Sequence, residues 1–346
     1  MKTLTLGRTD IRVPDLCLGT MTFGNQTPEA DAHRQIDMSL EAGLNFIDTA
    51  EMYPVNPVRK ETVGRSEEVI GNWFARTGRR AETVIATKVA GDTAQVRDGK
   101  GYDGKIVREA VDASLRRLQT DVIDVYQLHW PMRGSYMFRQ NWSYDPSKQD
   151  RQQTLDNMAD VLDGMAELVK QGKVRAFGLS NESAWGTIRW MDVAAQMGAP
   201  RVASVQNEYS LLCRLYDTDM AEMAVNEDVT LLSFSPLACG LLTGKYQNDV
   251  IPAGSRRSIG PDLGGRMTPR TLPTVQVYLD IAAKHGIAPD HMAMAWQRTR
   301  TFPISAIFGT TTATQLEHLL EGRNMELSSE ILEEISAAHR AHPMPY

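Results

Sequence analysis

Asp48 lies in the apolar run LNFIDTA (44–50), and Tyr53 comes five residues after it. Lys88 lies in TVIATKV (83–89), and His129 in VIDVYQLHW (122–130). Taken singly, each has a plain structural use: a turn cap, ordinary packing, a solvated strand end, a satisfied core histidine. Together, after three successive runs, they describe acid catalysis by a tyrosine. A free phenol has a pKa of about 10 and is a poor acid at neutral pH. A nearby ammonium favours the phenolate and lowers that value. The ammonium must stay charged in a dry site, so it needs a carboxylate, and Asp48 is the candidate. A neutral histidine can then donate a hydrogen bond to a substrate oxygen and orient it. No nucleophile–base pair stands out, and neither HxH nor HExxH occurs, so metal hydrolysis lacks its ligands.

These residues need elements that bring them to one place. The chain holds eight short apolar or β-branched runs: 15–21, 44–50, 83–89, 122–130, 174–181, 202–209, 229–236 and 304–311. Each suits a strand buried on both faces. Helical periodicity falls between them at 29–42, 66–75, 105–119, 154–171, 183–197, 217–227 and 313–322. Segments 274–285 and 290–300 both read as helices, so one lies outside the repeat. A last helix, 328–340, opens on Ser328 as N-cap. The alternation predicts an α/β fold, a (β/α)8 TIM barrel with an N-terminal β-hairpin and an extra C-terminal helix. The alternative is a doubly wound sheet, whose GxGxxG turn is missing from Gly19–Gly24. The first twelve residues, with a turn at Gly7-Arg8, predict a hairpin closing the barrel floor. The stretches 54–65, 131–153 and 247–273 follow strands, and so belong at the C-terminal mouth where barrel active sites form.

The chain has 346 residues, read as a single domain, with 42% hydrophobic residues and a net charge of −6 from 37 basic against 43 acidic groups. That balance is wrong for a nucleic-acid binder, and no basic amphipathic stretch suits a membrane surface. No apolar run reaches the roughly 18 residues of a membrane span. Arg8 and Asp10 interrupt any secretion signal. Cys17, Cys213 and Cys239 lack CxxC spacing, which predicts a reducing compartment and a cytoplasmic location. The acidic chain nevertheless carries Arg256, Arg257, Arg266 and Arg270 against Asp262 alone within 250–270. An adenosine 2′-phosphate is a dense charge that arginine grips well, which predicts NADPH over NADH with Arg256 as the grip. The aromatic-rich insert 131–153 reads as a substrate lid or, alternatively, a subunit contact; the oligomeric state stays open.

A wider set of segments then carries a resemblance: Gly19–Gly24, Asp48-Thr-Ala-Glu-Met-Tyr53, Thr87-Lys88, Gln127–Pro131, Gly178-Leu-Ser-Asn181, Gln206–Tyr209, Ser235–Lys245 and Gly309–Thr312. In this order, from about residue 3 to 340, they resemble the aldo-keto reductases. The motif at 48–54 and the long insert after His129 favour the bacterial Tas-like branch, relatives of the potassium channel β subunits. The resemblance implies a barrel that binds NADP(H) in extended form and reduces a small-molecule carbonyl. Asp48, Tyr53, Lys88 and His129 match its catalytic positions, with Tyr53 as proton donor. Ser180, Asn181 and Gln206 match the nicotinamide carboxamide contacts, and Phe234 the aromatic stack. Ser235, Leu237, Gly240, Leu241 and Lys245 match the pyrophosphate loop. Gly309, Thr311 and Gln315 match the adenosine phosphate end, and Thr20, Met21 and Asp48 are further cofactor positions. Met21, Phe23, Tyr53, His129 and Trp130 would line the substrate pocket. Where the branch often has a Glu–Asn pair after Gln315, this chain has His318 and Leu319, so its adenine contacts are expected to differ. Two other readings compete: a cofactor-binding regulatory subunit of a protein partner, and an aldolase or isomerase using Lys88 as a Schiff base.

Overall fold

The computed structural model describes residues 1–346. It opens with β1 (Thr3–Thr5) and β2 (Arg12–Pro14), an antiparallel hairpin that runs two residues beyond the predicted twelve. Then β3 (Leu16–Gly19), β4 (Phe46–Asp48), β5 (Val84–Val89), β6 (Ile123–Leu128), β7 (Val174–Ser180), β8 (Val202–Glu208), β9 (Thr230–Phe234) and β10 (Ile304–Phe308) pair in parallel. The last strand returns to the first, with Ala306 opposite Leu16, so the sheet is a closed barrel and the open-sheet alternative is excluded.

Strand side chains alternate in direction, and here the alternation separates two cores. Cys17, Phe46, Ala86, Val125, Ala176, Ala203, Leu232 and Ile307, from all eight barrel strands, cluster with Leu6, Ile11 and Val13 of the hairpin segment. The hairpin therefore plugs the interior from below. Its turn needs glycine: Gly7 has φ +54°, and a Cβ there would lie 2.5 Å from the Ala203 carbonyl oxygen. The outward residues, such as Leu18, Ile47, Ile85 and Tyr126, join the larger core beneath the helices.

The helices are α1 (Glu29–Glu41), α2 (Arg65–Thr77), α3 (Gly104–Leu118), α4 (Arg151–Lys170), α5 (Ala184–Met197) and α6 (Asp219–Asn226). A short α7 (Arg256–Ile259) precedes α8 (Thr271–Lys284), α9 (Pro289–Gln297), α10 (Ala313–Glu321) and α11 (Ser329–Ala341). Of the two helices before β10, α9 packs on that strand while α8 packs on α11, so α8 is the one outside the repeat. Ser328 caps α11 through the Ile331 N–H, as its sequence predicts. No helix is long and apolar enough to cross a membrane.

Candidate active site

The alternation that fills the barrel floor with apolar groups also builds the site. Two residues beyond the inward Phe46, Ala86, Val125 and Leu232, the same inward rows carry Asp48, Lys88, Gln127 and Phe234. All four lie at the C-terminal strand ends. Lys88 is fully buried and donates at 2.7 Å to Asp48 Oδ2 and at 2.7 Å to the Thr49 carbonyl. Asp48 Oδ1 accepts from Gln206 Nε2 at 2.8 Å and from Gln127 Nε2 at 3.2 Å. The buried pair thus has its hydrogen bonds satisfied, which is the condition for keeping two charges out of water. Burial pushes the ammonium down, but Asp48 and Tyr53 outweigh it and hold Lys88 above the usual lysine range.

Tyr53 stands at the mouth between two partners. The Lys88 ammonium lies 4.9 Å from its ring centre, and the His129 ring meets it edge-on at 5.7 Å. Burial drives the phenol above its ordinary value, and the opposing pull of Lys88 is the smaller effect. The expected lowering is therefore not the net result here. Burial, helped by Lys88, keeps His129 far below the histidine range, so its ring is neutral at physiological pH. His129 Nδ1 is buried with no hydrogen-bond partner. Trp130 lies 5.0 Å from the His129 ring, with its indole N–H on Asp92 Oδ1 at 3.1 Å. Gly91 admits that indole, since a Cβ would lie 2.1 Å from Trp130 Nε1.

A match to the aldo/keto reductase family spans residues 15–340. The chain belongs to this family. It is 42% identical over 340 residues to Protein tas of Escherichia coli (strain K12), covering 97% of this chain and 96% of that protein. It is 31% identical to the uncharacterized oxidoreductase YrpG of Bacillus subtilis (strain 168), covering 94% and 92%. It is 28% identical to a probable voltage-gated potassium channel subunit beta of Oryza sativa subsp. japonica, covering 99% and 98%. Family membership makes the chain an oxidoreductase of small-molecule carbonyls that works with a nicotinamide cofactor.

The residues beside Tyr53 and His129 fit such a cofactor. Asn181 has φ +54°, and its Nδ2 donates to the His129 carbonyl at 2.8 Å and to Ser180 Oγ at 3.1 Å. That leaves Asn181 Oδ1 buried without a donor, a vacant acceptor suited to a carboxamide N–H. Ser180 Oγ in turn donates to the Gln206 carbonyl. Phe234 is half-buried at its strand end and belongs to neither core cluster, so its ring offers a stacking face. The following loop has positive φ at Ser235, Ala238, Cys239, Gly240 and Gly244, which turns its backbone tightly. Gly240 is needed there, because a Cβ would lie 2.8 Å from Lys245 Cε. Leu237 is half-buried, whereas the Leu241 side chain is in the core and leaves only its backbone to the loop.

Elsewhere one placement differs from expectation. Phe23 is completely buried in the outer core, so its ring packs behind the mouth and does not line it. Thr20 is fully buried and donates to the Asp48 carbonyl at 2.9 Å. Met21 is half-exposed, with its sulfur 3.6 Å from Arg256 Nη1. Arg256 also donates to Asn56 Oδ1 at 3.3 Å and pairs with no carboxylate. By contrast, Arg257 pairs with Asp249 and Arg266 with Glu208. Gly309 lies against β3, where a Cβ would sit 2.8 Å from the Gly19 carbonyl oxygen. Gln315 Oε1 accepts from Thr311 N and Oγ1, both at 3.0 Å, while Thr312 caps α10.

Gln127, Glu51 and Glu208 lie within the motifs that carry the family resemblance, but the sequence does not show which partners they take. Gln127 completes the Asp48 network. Glu51 accepts from Arg97 at 2.7 Å and ties the loop after β4 to the loop after β5. Glu208 is held between Arg139 of the insert and Arg266, each at 2.7 Å. With Arg133 paired to Glu182 and Ser135 Oγ donating to the Asn181 carbonyl at 2.8 Å, the insert is pinned to the ends of β7 and β8. Tyr136 and Tyr144 pack on each other, while Phe138 and Trp142 are exposed.

Proposed function

We propose that this protein reduces aldehydes or ketones with NADPH, and that Tyr53 donates the proton. The observation that carries the reading is the flanking of Tyr53 by the buried Lys88–Asp48 pair and by a neutral His129. A bound nicotinamide would supply hydride to the carbonyl carbon. Tyr53 is protonated at neutral pH, and the alkoxide that forms beside it is a far stronger base than a phenolate. Proton transfer from Tyr53 therefore runs downhill without a lowered pKa. Lys88 then faces the phenolate left behind and stabilises it, while Asp48 keeps the lysine in place. His129 can donate to the same substrate oxygen, and Trp130 and Met21 would border the substrate.

Asn181, Ser180 and Gln206 would hold the carboxamide, a reading supported by the unpartnered Asn181 Oδ1, and Phe234 would stack on the ring. The loop Ser235–Lys245 and the Thr311–Gln315 turn would take the phosphates; a helix N-terminus suits an anion. Arg256, free of any carboxylate, supports NADPH over NADH. Free Cys17, Cys213 and Cys239 suit a reducing compartment and support a cytoplasmic location. The test is NADPH oxidation with a panel of aldehydes and ketones. Turnover that saturates with one of them and vanishes in Tyr53→Phe supports the reading. Tight NADPH binding with negligible oxidation across the panel favours a regulatory subunit instead.

A further inference from the structure

α9 and α10 bring two histidines and an aspartate together. Asp290 and His291 open α9 and are buried, and His318 lies exposed on α10. One ligand atom from each lies within 4.8 Å of the other two. Two of these groups, Asp290 and His291, already have an outer contact of the kind a metal ligand uses. His291 Nε2 is 2.7 Å from the His318 carbonyl oxygen, so it must carry the proton and donate. The ring's lone pair is then on Nδ1. A ligating histidine commonly gives its other N–H to a backbone carbonyl in this way, which fixes tautomer and orientation. Asp290 Oδ1 accepts the His291 backbone N–H at 3.0 Å, leaving Oδ2 to the cluster. His318 Nε2 stands 3.0 Å from Asp290 Oδ2, and its Nδ1 faces Glu321 at 3.8 Å.

The His291 ring is also held, while the His318 ring is exposed. The two imidazoles stack at 4.5 Å between centres, 24° from parallel. The His291 ring leans on Gly322, where a Cβ would lie 2.4 Å from His291 Cγ, so only glycine leaves it room. Ligand atoms around a tetrahedral zinc lie about 3.3 Å apart. The three ligand atoms lie within 4.8 Å of one another, and binding would turn the exposed His318 imidazole out of its stack so that both ring lone pairs meet at the ion. The second His–carboxylate group, His285, Glu330 and Glu334, differs in a decisive way. Lys284 Nζ already sits on both glutamates, so an ammonium occupies the position a cation would take.

We propose that Asp290, His291 and His318 form a binding site for one divalent transition metal of the zinc class. Two imidazoles and one carboxylate leave a fourth position for water, and that donor set suits zinc, nickel or copper better than calcium or magnesium. Because its ligands come from two helices, the metal would fasten α9 to α10. The inference does not depend on the reductase reading, and its readout is binding alone.

The experiment uses full-length protein without a polyhistidine tag, stripped with chelator and dialysed. Calorimetric titration with Zn²⁺ should show one equivalent bound, and the bound form should melt at a higher temperature. Losing an outer partner of a ligand weakens a metal site by about 10–100-fold. His318→Gln, at an exposed position, removes a ligand itself and should weaken binding by at least about tenfold. His285→Asn should leave it unchanged. Absence of binding, unchanged affinity in His318→Gln, or loss of binding in His285→Asn overturns the proposal. If His318→Gln does not fold, Co²⁺ added to the unaltered protein decides: the visible absorption of a four-coordinate nitrogen-ligated site supports the proposal, and the spectrum of hydrated Co²⁺ overturns it.

Discussion

The pit at the strand ends and the rim above it both contain buried carboxylates, but the two are arranged for different ends. In the pit, Asp48 faces one cation, Lys88, and two amides, so charge is balanced and every oxygen is filled. All of these groups stand on β4, β5, β6 and β8, elements whose geometry the barrel fixes. At the rim, Glu208 faces two guanidinium groups, Arg139 and Arg266, and both of those come from loops. The rim keeps an excess of positive charge, including Arg256, and exposes Phe138 and Trp142. The contrast teaches a division of labour. The Lys88–Asp48 pair and its two amide partners are set on strands in a dry, neutralised pit, whereas Tyr53 and the rim arginines sit on loops, which can differ without disturbing the pair.

The largest effect is expected at the pit's ion pair. Lys88→Met leaves the Asp48 carboxylate buried without its cation. Breaking such a pair typically costs about 3–5 kcal/mol of stability, readable by denaturant unfolding, and reductase turnover should be lost with it. Lys88→Met combined with Asp48→Leu should recover much of the stability and none of the turnover. Full activity in the double variant would show that the pair is only a packing device. Next comes Tyr53→Phe, which keeps the ring and removes the hydroxyl. A positioned acid contributes about 10²–10⁴ in rate. Turnover should fall by that factor while NADPH titration by fluorescence stays nearly unchanged. A variant that reduces a good aldehyde at close to the parent rate would remove Tyr53 from the chemistry.

The pit was the more legible of the two regions in the sequence, and the reason is periodicity. A strand's two-residue repeat turns Asp48, Lys88 and His129 at the ends of apolar runs into neighbours once the strands close into a barrel. The same reasoning located all eight barrel strands and the hairpin plug. It fails where partners come from loops. Nothing in one sequence links Arg139 to Glu208 to Arg266, because their meeting depends on where irregular backbone lies. Phe23 shows a second limit: a motif places a residue near the mouth, but one turn of backbone decides whether its ring faces outward or into the core. The Tyr53 acidity shows a third, since the balance between burial and a neighbouring charge depends on how dry the site is.

At the rim the expected effects are smaller. Arg139→Gln removes one of the insert's three ties but leaves Glu208 paired to Arg266. A hydrogen bond to a charged group contributes about 1.5–3 kcal/mol, part of it offset by the exposure of Arg139. The Michaelis constants of bulky aldehydes should rise while turnover at saturation stays close to the parent's; an unchanged substrate profile together with altered oligomeric state would assign the insert to a subunit contact. Arg256→Gln tests the cofactor preference. NADPH affinity should fall about tenfold, the lower end for one charged hydrogen bond, and NADH affinity should hold. Equal loss for both cofactors would place Arg256 elsewhere than on the 2′-phosphate.

The smallest expected effect is the response of reduction to pH. The acid must be protonated to act, so kcat/KM should fall only as pH rises through the pKa of Tyr53 in the free protein. Burial holds that value above the ordinary phenol range, and the pull of Lys88 does not reverse it. On the other side, His129 needs to be neutral to keep its place, and burial with Lys88 holds its pKa far below the ordinary histidine value. The two groups therefore move apart, and their titrations leave a wide interval between them. Across neutral and mildly alkaline pH the rate of aldehyde reduction should be flat, with a decline only above about pH 10. Lys88→Arg keeps a cation beside Tyr53 but misplaces its charge, and should move that alkaline limb. If the parent profile instead breaks near neutrality, either the phenol is lowered once cofactor is bound or a different group supplies the proton. Repeating the profile in His129→Gln separates these: a break that persists belongs to the tyrosine, and one that disappears belongs to the histidine.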